Sequence, residues 1–580
     1  MRSVAAWCSL RRPFVKRGLR YTGPMRHLVI GLGLAVLFTG TGPLQARDRV
    51  FTGGIVHGPE GAVRASILVR DGRIAAVGTL EELGAGGDAE IVELGGAHVL
   101  PGLCDAHLHF TGHGRSLEEV DLNGATSFQE VVRRAREAAA DLPPGAWLTG
   151  RGWDQNLWPG KAFPDRAALD EAIPDRPVLL RRVDGHAAVA NARALELAGV
   201  DRDTPDPEGG RILRRPDGTP TGVFVDEAMG LLLRVVPPPD DATLERWMLR
   251  SARALAAMGF TQVHDAGTTA RELRVLRRLE AGDRLPIRVY VLLDGSDAAL
   301  LARELPRGPS IGRRMLRIGG VKLYADGALG SRGALLGEDY ADDPGNHGLA
   351  VTPVEVLRST IRAASRAGFQ VGIHAIGDEG VHRVLDLYAG LGPATCRRLR
   401  HRVEHAQIVR PGDVPRFARL GVVASIQPTH CTSDMPWAPD RLGPVRIAWA
   451  YRWRSLADAG AVLAGGSDAP VEDPDPRRGL FAAITRQRPD GTPPGGWNPA
   501  ERLTPAGALE LFTTGAAWAG HCERWSGVVA PGFEADLTIV DRDPTTVEPA
   551  AILGMKVLRT VVAGRDRWVS PGPGGGGPAP

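Results

Sequence analysis

Cysteine is scarce in this 580-residue chain: Cys8, Cys104, Cys396, Cys431 and Cys522 are odd in number and show no paired spacing. That argues against both a disulfide framework and a zinc site built from thiolates. Charge of one sign is lacking as well. Seventy basic side chains stand against 67 acidic ones, for a net charge of +3 with no long block of either sign. Nothing in that balance provides the electrostatic footprint of a nucleic-acid partner. The apolar run at residues 28–38 is about half of the ~20 residues that a membrane-spanning helix needs.

That run suits the core of an export signal instead, being preceded by basic residues and followed by small ones up to Ala46. Residues 1–46 are therefore read as an N-terminal signal that sends the protein to the periplasm or outside the cell. Met25 would begin a compact general secretory signal. Met1 would include Arg11-Arg-Pro-Phe-Val-Lys16, which resembles the twin-arginine pattern. An uncleaved membrane anchor is the alternative, and the only membrane contact expected.

The remainder divides by pattern. Residues 47–98 and 521–569 are rich in short strands with Gly turns, Asp71-Gly72 being a hairpin signal. Neither patch is large enough to stand alone, so together they predict one small β-sandwich built from both chain ends. Residues 570–580 form a Pro/Gly-rich tail, expected to be disordered. Between the two patches, residues 99–520 alternate strand-like and helix-like segments, the pattern of an α/β protein. Strands are expected at 99–108, 260–264, 287–293, 318–324, 369–374, 401–405, 422–427 and 461–465. Eight strands with intervening helices suit a (β/α)8 TIM-type barrel, with a long insertion after strand 1 at about 112–258 that roofs or flanks the site.

Barrels of this kind carry their chemistry at the C-terminal ends of the strands. His107 and His109 end the first strand, and side chains two apart on a strand share a face. His264-Asp265 end the second, Lys322 lies on the fourth, and His374 and His405 end the fifth and sixth. Asp468 follows the eighth. Singly, each has a bland reading as a structural histidine, an ion-pair partner or a turn former. Four of the chain's 15 histidines, His107, His109, His374 and His405, fall at predicted strand ends and point jointly to a metal centre.

Several segments in this order resemble one known family. They are Pro101-Gly-Leu-Cys-Asp-Ala-His-Leu-His109, Gly150-Arg-Gly-Trp-Asp-Gln-Asn156, Leu180-Arg-Arg-Val-Asp-Gly-His186 and Val321-Lys-Leu-Tyr-Ala-Asp-Gly327. His374-Ala-Ile-Gly-Asp378, Val403-Glu-His405, Gly465-Gly-Ser-Asp468 and Gly532-Phe-Glu-Ala-Asp-Leu-Thr-Ile-Val540 complete the set. The resemblance is to the metal-dependent amidohydrolase superfamily, in the branch called amidohydrolase family 3, which includes N-substituted formamide deformylases.

That resemblance implies that His107, His109 and Asp468 hold a buried divalent ion and that His374 and His405 hold a second. Lys322 would bridge them as a carbamate. Imidazole and carboxylate ligands suit zinc, with manganese, iron or nickel as alternatives, and one ion only if Lys322 is unmodified. Metals roughly 3.5–4 Å apart would present hydroxide to a carbonyl, with Asp468 as general base and then general acid. His430, His186, Trp153 and Asp154 are candidates for substrate contact, with Trp437 as a further wall; core or lid packing is the other reading of both tryptophans, and a plain loop histidine that of His430. Cys104 and Cys431 are read as small buried thiols.

The function expected is hydrolysis of a non-peptide carbon–nitrogen bond in a small molecule: an N-formyl, N-acyl or cyclic amide. An esterase, lactonase or phosphoesterase on the same metal site is the alternative, and a catalytically silent binding protein the third reading. A homo-oligomer is left open.

Overall fold

The computed structural model describes residues 47–571 apart from 85, 86, 141 and 144. The export-signal reading and nearly all of the tail lie outside the described residues.

Eight parallel strands form a sheet in chain order: Leu103–Leu108, Phe260–Thr268, Arg288–Asp294, Leu316–Tyr324, Gln370–Ala375, Arg402–His405, Val423–Ile426 and Leu463–Gly465. Their side chains are buried almost throughout, as expected of parallel strands covered on both sides. Helices cover the outside for reasons written into their sequence. In Ala270–Ala281, Thr269 and Glu272 close a capping box and Leu273, Leu276 and Leu279 are buried at helical spacing. The sheet is a nearly closed barrel. Its seam is bridged past the last strand, where Asp468 N donates to His107 O (2.7 Å) and His109 N to Ala469 O (2.8 Å).

The expected first strand, 99–108, is two strands. His98–Pro101 lies in a second sheet between Arg49–Gly58 and Leu537–Val540, whereas Leu103–Leu108 joins the barrel. The change of sheet falls at Gly102, where a Cβ would stand 2.3 Å from Thr261 Oγ1, so only glycine fits. The second sheet unites the chain ends. Arg49–Gly58, Gly61–Arg70 and Arg73–Gly78 lie on one side of His98–Pro101, and Leu537–Val540, Val557–Val562 and Arg565–Val569 on the other. Phe51, Val56, Ile67, Val99, Leu537 and Val561 share one buried cluster.

The segment after strand 1 carries a six-stranded sheet of its own: Val120–Asp121, Leu148–Trp153, Val178–Arg182, Ala187–Ala190, Gly210–Arg214 and Pro220–Asp226. Neighbouring residues serve opposite faces. Leu180, Val189 and Val223 enter one cluster, while Leu179, Ala188 and Phe224 enter the other. The structure differs from the sequence reading at the end of this segment. Helix Asp241–Ala257 packs Leu244, Met248, Ala252 and Leu255 into the barrel core with Leu108 and Phe110, so the inserted layer ends before it.

Trp153 takes the packing role rather than the substrate contact also open to it. It is fully buried in the insertion, packs against Trp158 and Phe163, and donates Nε1–H to Leu180 O at 2.8 Å. It is core rather than cavity wall, because the strand bearing it has the inserted helices on that face. Trp153→Ala is expected to cost about 3–5 kcal/mol of stability, read as a lowered midpoint in urea or thermal unfolding. A midpoint close to the parent's would contradict this placement.

Candidate active site

The site is built from strand ends, and two of its members depend on unusual backbone. On a regular strand Glu404 and His405 would face opposite ways. His405 adopts φ +72°, and both side chains reach the same centre. Glu404 Oε2 lies 2.5 Å from His107 Nδ1, and the His405 ring is 5.0 Å from the His107 ring. Asp468 also sits in the left-handed region, at φ +58°. Strain of this kind in non-glycine residues persists only where surrounding contacts hold it. Here the seam hydrogen bonds do so, helped by Asp105, whose carboxylate accepts from Ser467 Oγ (2.6 Å), Ser467 N and His107 N.

Donor atoms converge. Asp468 Oδ1 is 3.2 Å from His109 Nε2 and 3.5 Å from His107 Nε2. Lys322 Nζ lies 3.2 Å from His107 Nε2. Among the described residues, His107, His109 and Asp468 form one group whose ligand atoms all lie within 4.8 Å of one another, and His405, His430 and Asp468 form another. The His374 ring is 4.5 Å from that of His405, and its Nε2 lies 3.3 Å from Gly327 O. The structure thus gathers His107, His109, Lys322, His374, His405, His430 and Asp468 at one place. By donor-atom distance it sets His430, rather than His374, beside His405 and Asp468.

The electrostatics suit metal ligation. Burial, aided by the Lys322 cation, pulls His107 down to about 4. Burial likewise holds His374 and His405 well below the ordinary histidine value. These rings are neutral near pH 7 and keep lone pairs, the form in which imidazole binds metal. Burial would raise Glu404, but the Arg402 cation and His107 bring it well below the usual carboxylate range. Arg402 Nη2 donates to Glu404 Oε2 at 2.9 Å. The anion then accepts a hydrogen bond from His107 Nδ1–H and leaves Nε2 aimed at Asp468. His405 Nδ1 is held by Gln427 Oε1 at 2.8 Å. Ligand histidines are commonly fixed through the other ring nitrogen in this way. Asp468 is likewise drawn well below its ordinary value: burial opposes ionisation, but His109, His107 and His405 outweigh it. Its buried Oδ1 has no well-aligned hydrogen-bond donor. Neutral imidazoles, an orphaned carboxylate oxygen and anchored outer nitrogens fit a divalent cation. Burial also lowers Lys322 to about 8.

Above this centre opens a cavity of about 870 Å³, walled by strand-end loops and the insertion. His186, Asp154, Arg182, His430 and Trp437 line it. Asp154 is committed to an ion pair with fully buried Arg182, which also binds Asp184. Burial acts to lower His186, but the Asp226 carboxylate 2.6 Å from Nδ1 outweighs it and raises the ring to about 9. Arg151 joins roof to barrel, donating to Val183 O (2.7 Å) and to Pro470 O (3.3 Å), two residues after Asp468.

His264 is not at a strand end, because its strand continues to Thr268. It lies deeper, 3.2 Å from Arg402. Asp265 accepts from Phe110 N (2.9 Å) and thereby fixes the turn after His109. Cys104 and Cys431 are buried free thiols. Sequence reasoning missed Glu404, Arg402, Asp105 and Gln427. A carboxylate two residues before His107 on an otherwise apolar strand was a usable signal for Asp105. Strict strand alternation hid Glu404.

Comparison with known proteins agrees with this geometry. Residues 90–566 match the amidohydrolase family. The chain is 34% identical to the Bacillus subtilis protein YtcJ, over 89% of this chain and 98% of that one. It is 29% identical to the N-substituted formamide deformylase of Arthrobacter pascens, over 87% of this chain and 94% of that one. Among solved structures, it is similar to an uncharacterised metal-dependent hydrolase from Pyrococcus horikoshii, with 30% identity and a TM-score of 0.71 over 87% of this chain and 99% of that one. The chain belongs to the amidohydrolase family and is a hydrolase acting on carbon–nitrogen bonds.

Proposed function

We propose that this enzyme hydrolyses a non-peptide amide bond of a small molecule, of the N-formyl, N-acyl or cyclic amide class, with Asp468 as the proton carrier. One observation carries the reading: the Asp468 carboxylate meets His107, His109 and His405 at the floor of a cavity of about 870 Å³. That volume is of the size that holds a drug-sized ligand. The name of the Arthrobacter pascens relative supports an N-substituted formamide as the first substrate class to try.

His107, His109 and Asp468 would hold a divalent ion, zinc being the ion this ligand set suits best, with His405 and either His374 or His430 beside it. When bound, such an ion supplies Lewis acidity toward a carbonyl and acidifies nearby water. The chain's own groups do the rest. Asp468 takes a proton from the attacking water and returns it to the leaving nitrogen. His186, kept cationic by Asp226, faces the cavity as a donor to the carbonyl oxygen as negative charge develops there. The insertion roof, tied down through Arg151, limits water around the reacting bond. Lys322, buried and easily neutral, is proposed to add carbon dioxide through Nζ, losing a proton to form a carbamate whose oxygens face the same centre.

Asp468→Asn is expected to lower kcat by at least about a thousandfold, judged from losses of positioned proton-transfer groups, with metal still found by elemental analysis. Near-parental turnover in that variant would sink the assignment. Glu404→Gln should weaken metal affinity about 10–100-fold, measured by competition with a chelator; unchanged affinity would show that the Glu404–His107 contact does not tune the ligand. Labelled bicarbonate should give a carbamate NMR signal in the parent that vanishes in Lys322→Ala. A signal that persists in the variant places the carbamate elsewhere.

A further inference from the structure

A second cluster of ligand atoms lies outside the catalytic cavity, in the sheet that unites the chain ends. His57 is near the end of strand Arg49–Gly58, and His98 opens strand His98–Pro101. Asp543 follows strand Leu537–Val540 by three residues. These three strands are neighbours. Ile55 pairs with His98 and Val56 with Val99, so His57 and His98 share one face while Val56 and Val99 enter the core on the other. On its other side His98 pairs with Val540, and the chain then turns to bring Asp543 over the two rings.

His57 Nε2 and His98 Nδ1 are 3.0 Å apart. With zinc–nitrogen bonds of about 2.0–2.1 Å and tetrahedral angles, two ligand nitrogens stand about 3.3 Å apart, so the observed spacing needs an adjustment of only a few tenths of an ångström. The ligand atoms of His57, His98 and Asp543 all lie within 4.8 Å of one another. The carboxylate is nearly buried and is oriented from behind, Oδ1 accepting from Thr545 N (2.8 Å) and Thr545 Oγ1 (2.6 Å). Burial holds His57 below its ordinary value against the pull of Asp543, which keeps the ring in its ligand form.

We propose that His57, His98 and Asp543 form a structural site for one divalent transition-metal ion of the zinc class, with solvent in the remaining position. The site clips the N-terminal strands to the C-terminal segment across nearly the whole chain, and cross-links that close long loops stabilise most in principle. It also sits at the start of the strand that passes through Gly102 into the strand bearing His107. Its role is stability, since it lies away from the strand ends that carry the chemistry.

The test compares zinc-loaded parent protein with His57→Ala and His98→Gln after removal of loose metal, by zinc content, thermal midpoint and turnover. Each variant is expected to hold one zinc equivalent fewer per chain, to melt several degrees lower and to keep its turnover. Crystals of the unmutated protein measured at the zinc absorption edge should show an anomalous peak between the two rings, separate from any at Asp468; this arm decides the matter even if a variant fails to fold. Equal zinc content in parent and variants, or no peak between His57 and His98, overturns the proposal and reduces the pair to a histidine–histidine hydrogen bond. Neither result touches the assignment of Asp468.

Discussion

Two backbone hydrogen bonds across the barrel seam, Asp468 N to His107 O and His109 N to Ala469 O, hold the active site together. They join residues at opposite ends of the barrel sequence. They fix Asp468 in a left-handed conformation that a free chain would avoid. Asp105 braces the same seam from below through Ser467 and the His107 amide. Ligand geometry and barrel closure are therefore one constraint. A barrel that failed to close there would lose the meeting of His107, His109 and Asp468 together with its fold.

From that seam a line of charge runs through the barrel interior: Arg402 to Glu404, Glu404 to His107, His107 toward Asp468 and Lys322. Each member is buried, and isolated charges there would be costly. Arranged in sequence, they leave an arginine and a glutamate charged and the imidazoles neutral, which is the state a cation needs. The insertion adds a second set of charges above. Arg182 is neutralised by Asp154 and Asp184, and His186 by Asp226, so the roof presents few unpaired ions to a substrate.

Much of this was legible in the chain. His107 and His109, two apart on an apolar strand, and histidines recurring at the ends of later strands indicated a metal centre because parallel strands of a barrel end together. The alternation of strand and helix gave the barrel, and strands at both termini gave the shared second sheet. That residues 99–108 divide between two sheets was not legible. Gly102 marks the switch through a close approach to Thr261, a contact made by a distant strand. Trp153 read as pocket wall or as packing, because its motif flanks the site; only the fold shows its side chain in the inserted layer. Glu404 carried no signal of its own, because only the positive φ of His405 brings both residues to one centre.

The sequence by itself determined which groups are available for chemistry and in what order the barrel delivers them. Residue type and strand spacing are local properties, and a parallel barrel converts them into one ring of side chains. Only the tertiary structure decided which nitrogen of each histidine faces the centre, and which carboxylates join the cluster, brace it or balance its charge. It also decided that His57, His98 and Asp543 meet at all. Those outcomes depend on burial and on contacts between residues hundreds of positions apart, and distance along the chain carries no information about either.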